Sequence, residues 1–343
     1  MTIMRDKSLN NILIIQTAYL GDVILATGLI EKINEHFPEA TIDFLLRQGY
    51  ESLFDKHPRI NEVIVFEKHN RKLWNLLRLI KKVRTRKYDM VINVQRYYSS
   101  GLVTILSRSM LRVGFKKNPF SFLFDQKVSH DFDGSHEIER NHELIEWFTD
   151  NQPARPKLYP SVSNYKNIEK YTSRAYICVA PAAIWFTKQF PEAGWIELIN
   201  SIGGDTDIYI IGGIEDEALG QRIGAGVTRQ VKNLCGKLSL LDSAALMKGA
   251  IVNLVNDSAP LHIASSMDAP VAVIYCSTQP SLGFGPLSTT AEIIQIKDKL
   301  SCRPCSDHGL KSCPEGHFDC AMKIDLKPLI AYVNERINTS GKN

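Results

Sequence analysis

No apolar stretch in these 343 residues approaches the roughly 20 that a membrane-spanning helix requires. The opening residues, MTIMRDKSLNN, hold no apolar signal core, so secretion is not expected. Charge of one sign is scarce as well. The 41 Lys+Arg against 37 Asp+Glu leave a net +4, which does not by itself argue for a nucleic-acid partner. Short-period repeats and low-complexity tracts are absent. So is the G-x-G-x-x-G turn of dinucleotide folds: GDVILA and GGIEDEA both fail its spacing, which weighs against a nicotinamide-dependent oxidoreductase. Cysteine is present but odd in number, at seven, with four crowded between Cys302 and Cys320. That pattern suits reduced cytosolic thiols or a metal clip better than a disulfide scaffold.

What is there is a soluble globular composition, 44% hydrophobic and 23% charged, at a length that suits two domains. Short β-rich apolar runs alternate with helical patterns, the mark of parallel βα units. In the first half the runs are ILII (12–15), TIDFLL (41–46), EVIVF (62–66) and DMVINV (89–94). Helices are expected from Val23 to Phe37, around 71–87, and over 136–148. The proline-rich stretch NQPARPKLYPS (151–161) reads as a linker. The alternation then restarts with AYICVA (175–180), DIYIIGG (207–213), VKNLCG (231–236), IVNLVND (251–257) and VAVIYC (271–276), and a last helix is expected from Leu326 to Ile337. Two doubly wound α/β domains result, and ligands in such sheets bind beyond the carboxyl ends of the strands.

One of those ends poses a question. In QTAYLGDVILATGLI, Asp22 stands at the turn from strand to helix, where a phosphate-binding loop would offer glycines and bare amides. Either Asp22 caps the helix or the site wants a base. In the second half, PAAIWFTKQFP brings small residues, Ala182 and Ala183, and a lysine, Lys188, to a strand end. A lysine ammonium is a compact partner for phosphate, but Lys188 is equally read as a surface residue. After GG, Glu215 is read either as a first-turn acid favoured by the helix dipole or as an acceptor for ribose hydroxyls. In DSAPLHIA, a strand ends at Asp257 and a helix opens at Ser258 and Ala259, with unpaired amides suited to a diphosphate. Asp257 is also read as the N-cap, and His262 as a structural helix histidine.

The stretch 71–87 carries eight Lys/Arg and no acid, with Leu73, Leu76, Leu77, Ile80 and Val83 as its expected buried stripe. Its basic face is either simply solvated or drawn to an anionic membrane surface or glycolipid. Cys302, Cys305, Cys313, His317 and Cys320 offer a structural zinc clip as one reading, with disulfides or free thiols as the others.

Taken in order, these segments resemble the ADP-heptose:lipopolysaccharide heptosyltransferases of glycosyltransferase family nine, over about residues 12–324. QTAYLGDVILATGLI matches the family's LGD element, PAAIWFTKQFP its P-G-A…K-x-W-P element, GGIE its GG-x-E element, and DSAPLHIA its D-[ST]-G-x-x-H-x-A element. CSTQP and CRPCSDHGLKSCPEGHFDC match the segments that follow. Ala182 and Ala259 replace family glycines, and Phe190 a tryptophan. The resemblance implies a GT-B fold of two Rossmann-like domains facing across a cleft: 1–160 binding acceptor, 161–324 binding nucleotide sugar, and a 325–343 helix packing back on the first. It implies an inverting transfer of heptose from ADP-heptose to a lipopolysaccharide inner-core glycolipid, with no required cofactor and no nucleic acid. Another nucleotide-sugar donor is the alternative. Asp22 matches the general base, Lys188 the diphosphate ligand aided by Ser258, Glu215 the ribose acid, and Asp257 an acid beside the transferred sugar. Ala182, Ala183, Ala259 and His262 complete the donor set. The setting implied is the cytoplasmic face of the inner membrane, with transient surface contact.

Overall fold

The structure, a computed structural model, describes residues 9–68 and 72–340. Arg71, the first residue of the basic stretch, lies outside the described residues. Two compact units divide after Tyr159, inside the proline-rich stretch. The first contains β1 (Asn11–Ile15), β2 (Thr41–Arg47), β3 (Glu62–Phe66), β4 (Met90–Asn93), β5 (Leu111–Phe115) and β6 (Gln126–Val128), in the order β3-β2-β1-β4-β5-β6. The second contains β7 (Tyr176–Ala180), β8 (Asp207–Ile210), β9 (Lys232–Asn233), β10 (Asn253–Asn256), β11 (Val271–Tyr275) and β12 (Ala291–Gln295), in the order β12-β11-β10-β7-β8-β9. Every pairing is parallel.

Numbered within its own unit, each sheet therefore runs 3-2-1-4-5-6, the doubly wound order. The winding reverses between β1 and β4 in one unit and between β7 and β10 in the other. Central strands such as Ile12–Ile15 are wholly buried, as expected for strands covered on both faces.

Three strands escape the sequence pattern. β5 carries Arg112 and Gly114, and β6 is three residues with two exposed positions. β12 is an edge strand with a single fully buried position. Each lacks the continuous apolar run that marks a central strand.

Four helical expectations need correction. The basic helix, Lys72–Arg86, buries Leu76, Leu79, Ile80 and Val83, while Leu73 and Leu77 are exposed. The helix expected over 136–148 stops at His142 and continues as turns. The helix expected from Val23 starts earlier, at Leu20, and ends at His36. The C-terminal helix, expected from Leu326 to Ile337, runs from Lys327 to Ser340 and seats Leu329 and Val333 in the core of the second unit. Burying two such side chains contributes about 1.5–3 kcal/mol each. Asn334 adds a bond from the Gly203 amide to its Oδ1 at 2.7 Å, a further tie to that core.

Candidate functional site

The loops after β7 and β10 flank the switch point of the second sheet, and they hold most of the residues singled out by sequence. Lys188 lies at the end of a short helical turn, Phe186–Lys188, following β7. Its Nζ stands 2.7 Å from Asp257 Oδ2, with side-chain exposures of 15% and 4%. Lys188 is thus an enclosed cation with a dedicated counter-ion rather than a free surface residue. Thr278, in the loop after β11, donates its hydroxyl to the same Oδ2 at 2.6 Å. The other carboxylate oxygen, Oδ1, is buried and accepts no hydrogen bond among the described residues. A buried carboxylate oxygen left this way costs free energy unless a ligand supplies a donor.

Asp257 is not the N-cap of the helix that follows; Ser258 is, ahead of Ala259–Ser266. The Ser258 hydroxyl donates to the Ala182 carbonyl at 3.3 Å, which joins the β10 loop to the β7 loop. Asn256, wholly buried, ties the same loops twice: its Nδ2 donates to the Pro181 carbonyl at 2.6 Å and its Oδ1 accepts from the Phe190 amide at 3.1 Å. Ala183 is fixed through its carbonyl, which accepts from Gln189 Nε2 at 2.6 Å. His262 is buried on the helix, with its ring 6.3 Å from Phe284.

Glu215 belongs to the neighbouring β8 loop, on the far side of β7 from Asp257, and is exposed. Its carboxylate folds over Gly213, where a Cβ would lie 2.7 Å from Oε2. That carboxylate is the far end of an exposed, flexible side chain and can swing aside, so it does not by itself demand glycine at 213. Asp216, not Glu215, performs the local capping, accepting from the Gly213 amide at 2.8 Å, and burial pushes its carboxyl up. Lys188, Asp257, Ser258, Ala182 and Ala183 are brought together; Glu215 flanks them. A groove of about 970 Å³ lined by Val162, Tyr165, Arg174 and Lys248 opens at the opposite, amino-terminal end of β7 and holds none of them.

In the first unit, Asp22 follows β1 at the corresponding switch point. Its Oδ2 accepts the Tyr19 amide at 3.1 Å, so it closes the first turn of the helix Leu20–His36. Capping does not exclude acid–base work: Asp22 Oδ2 takes the amide, and the carboxylate is only half-buried. Around it sit cations that sequence reasoning passed over. Arg47, closing β2, stacks over the rings of Tyr19 at 5.8 Å and Tyr50 at 5.0 Å. Lys68, after β3, donates to the Thr17 carbonyl at 2.6 Å. Burial, followed by the charges of Arg47 and Lys72, brings its pKa down to about 8. Residues scattered over the strand ends in this way leave no spacing signal in sequence.

All seven cysteines are free thiols. Among the described residues, the one His/Cys/Asp/Glu group with ligand atoms within 4.8 Å of one another is Glu35, His36 and Asp150, not the cysteine cluster. That group already holds a cation: Lys32 Nζ lies 3.1 Å from Glu35 and 3.0 Å from Asp150.

Two six-stranded parallel sheets of this order are those of the GT-B fold, and the match to a glycosyltransferase family gives the class. The family pattern "Glycosyltransferase family 9 (heptosyltransferase)" matches residues 76–314, and the chain belongs to that family. It is 26% identical over 293 residues to lipopolysaccharide heptosyltransferase 1 of Salmonella typhimurium, covering 80% of this chain and 91% of that one. It is 25% identical to lipopolysaccharide heptosyltransferase 3 of Escherichia coli K12, covering 76% and 80%. Among solved structures, E. coli ADP-heptose lps heptosyltransferase II shares the fold at a TM-score of 0.79 and 20% identity, covering 96% and 99%. The oxidoreductase alternative falls with these matches.

Proposed function

We propose that this glycosyltransferase moves heptose from ADP-heptose to a sugar hydroxyl of a lipopolysaccharide inner-core glycolipid, with inversion. The observation that carries the reading is the enclosed Lys188–Asp257 pair at the second switch point of a family 9 chain. Relatives named as lipopolysaccharide heptosyltransferases, and a solved ADP-heptose enzyme of the same fold, support the donor and acceptor classes.

Displacement at an anomeric carbon passes through an oxocarbenium-like state and needs a base on the attacking face and charge stabilisation behind the leaving group. Asp22 takes the proton of the acceptor hydroxyl. Lys188, with Ser258 and the amide of Ala259, meets the charge that develops on the departing diphosphate, so the chain's own cation supplies what a metal would otherwise do. Ala182 and Ala183 line the donor's approach, Glu215 accepts from ribose, and the unsatisfied Oδ1 of Asp257 accepts from a sugar hydroxyl. His262 supports the helix behind Ser258.

Work on such a glycolipid takes place at the cytoplasmic face of the inner membrane. No described helix is long and apolar enough to cross a membrane, and the basic helix Lys72–Arg86 supplies surface contact instead.

The test is calorimetric titration with ADP, UDP, GDP and NAD, followed by mass spectrometry of a glycolipid acceptor incubated with ADP-heptose. Selective ADP binding and a heptose-sized mass gain are expected. Preference for UDP or GDP would discard the heptose donor.

A further inference from the structure

The cysteine-bearing segment 301–320 finds no use in the transfer chemistry, and its thiols do not converge on a metal-sized site. Its contacts lead elsewhere. Thr187, the residue before Lys188, is 1% exposed and employs every polar atom it has. Its amide donates to the Leu310 carbonyl at 3.1 Å, and its carbonyl accepts the Ser277 amide at 3.2 Å. Its Oγ1 accepts from the Leu310 amide at 2.8 Å and from the Ser277 hydroxyl at 3.0 Å. Ser277 in turn accepts the Cys305 amide at 3.4 Å through its carbonyl. Gly309 then lies against Lys188 itself. A Cβ there would stand 2.8 Å from Lys188 Cγ and 2.8 Å from Trp185 Cβ, and Gly309 has φ +88°. Phe318 closes the far end, its ring 5.1 Å from that of Phe186.

We propose that residues 301–318 form a positioning strap for Lys188, with Thr187 as its joint and Gly309 as its contact on the lysine stem. The strap fixes the stem; the Asp257 carboxylate fixes the ammonium. Neither Thr187 nor Gly309 needs to touch the donor. The sequence separation, more than a hundred residues, explains why each segment looks idle when read alone. The inference rests on the donor-binding reading of Lys188. It extends that reading by assigning the strap a share of donor affinity, and by linkage donor binding must steady the strap in return.

The experiment compares ADP affinity by calorimetry in the unaltered protein, Lys188→Ala, Thr187→Val, Thr187→Ser and Gly309→Ala, with thermal unfolding as the check on folding. Thr187→Val removes the doubly used acceptor at near-constant shape, while Thr187→Ser keeps it. Thr187→Val and Gly309→Ala are expected to raise the ADP Kd about fivefold or more, and Thr187→Ser to stay near the unaltered value. A second readout needs no strap variant. Saturating ADP should slow iodoacetamide labelling of Cys302, Cys305 and Cys313, followed by peptide mass spectrometry, and the slowing should vanish in ADP-saturated Lys188→Ala. If Lys188→Ala binds ADP normally, the donor reading fails and the strap has nothing to position. If Lys188→Ala is weak but Thr187→Val and Gly309→Ala bind normally, or labelling ignores ADP, the strap inference alone is overturned.

Discussion

Asp257 Oδ2 is shared: it takes the Lys188 ammonium at 2.7 Å and the Thr278 hydroxyl at 2.6 Å. Breaking such a buried pair from one side strands the other charge. Lys188→Ala is expected to cost on the order of 3 kcal/mol of stability, and adding Asp257→Asn should recover part of that loss. Urea unfolding of Lys188→Ala, Asp257→Asn and the double variant reads both numbers, and full additivity would show that the two side chains do not interact.

Asp22→Asn keeps an oxygen for the Tyr19 amide, so the helix start should hold to within about 1 kcal/mol. A proton acceptor is lost nonetheless. The expected fall in kcat is about 10²–10⁴-fold with ADP affinity unchanged. Near-normal turnover in this variant would remove Asp22 from the chemistry and leave it as a cap.

His57 gives the first unit a pH dependence. Its ring is packed between Phe54 and Tyr159, and burial, with the charge of Arg59, brings its pKa down to about 4 from an ordinary 6.5. Its Nδ1 accepts the Arg59 amide. The unfolded chain therefore binds a proton below pH 6.5 that the folded unit refuses. Stability is complete above that pH and falls progressively toward pH 4, by roughly 3 kcal/mol at 1.36 kcal/mol per unit. Urea midpoints across this window should fall in the unaltered protein and flatten in His57→Leu.

Lys68 should lose its charge as pH rises through about 8. Reductive ¹³C-methylation followed by NMR should show one lysine resonance titrating there, absent from Lys68→Arg. An anionic acceptor held by this cluster should show a KM that climbs above the same pH, and a flat profile would place the acceptor's charge elsewhere.

The exposed Leu73, Trp74 and Leu77, at 69%, 71% and 52%, share the helix Lys72–Arg86 with exposed Arg78 and Lys81. An apolar ridge among cations suits an anionic bilayer surface. Co-sedimentation with vesicles rich in phosphatidylglycerol should weaken roughly tenfold in Trp74→Ser/Leu77→Ser and weaken with salt. Equal binding to neutral vesicles would argue against the charge contribution.

How much of this could be read beforehand depended on locality. Central strands such as Ile12–Ile15 and Val271–Tyr275 announce themselves because burial on both faces demands an unbroken apolar run. β6 and β12 do not, since edge positions tolerate Gln126 and Glu292, and β5, an inner strand, breaks its apolar run with the half-buried Arg112 and with Gly114. In the basic helix, apolar residues cover more than one face, so periodicity alone could not choose between Leu73 or Leu77 and Leu79; the packing partners made the choice. At the site, Asp22, Lys188 and Asp257 were visible because each stands at a strand end within a recognisable motif. Thr278, Asn256 and Thr187 were not, because their work is to bond segments far apart in the chain.

The arrangement around Lys188 also bears on how a catalytic cycle ends. On the proposed reading, an arriving diphosphate meets no bare ammonium; it displaces Asp257 from a pairing that already satisfies it. Binding becomes an exchange of one counter-ion for another, and the net gain is smaller than the number of contacts suggests. The same carboxylate then stands ready to reclaim the lysine once the sugar has gone. Tight grip and fast turnover pull against each other in any enzyme whose product keeps most of the donor's handle, and a resident rival for that handle tilts the balance toward release.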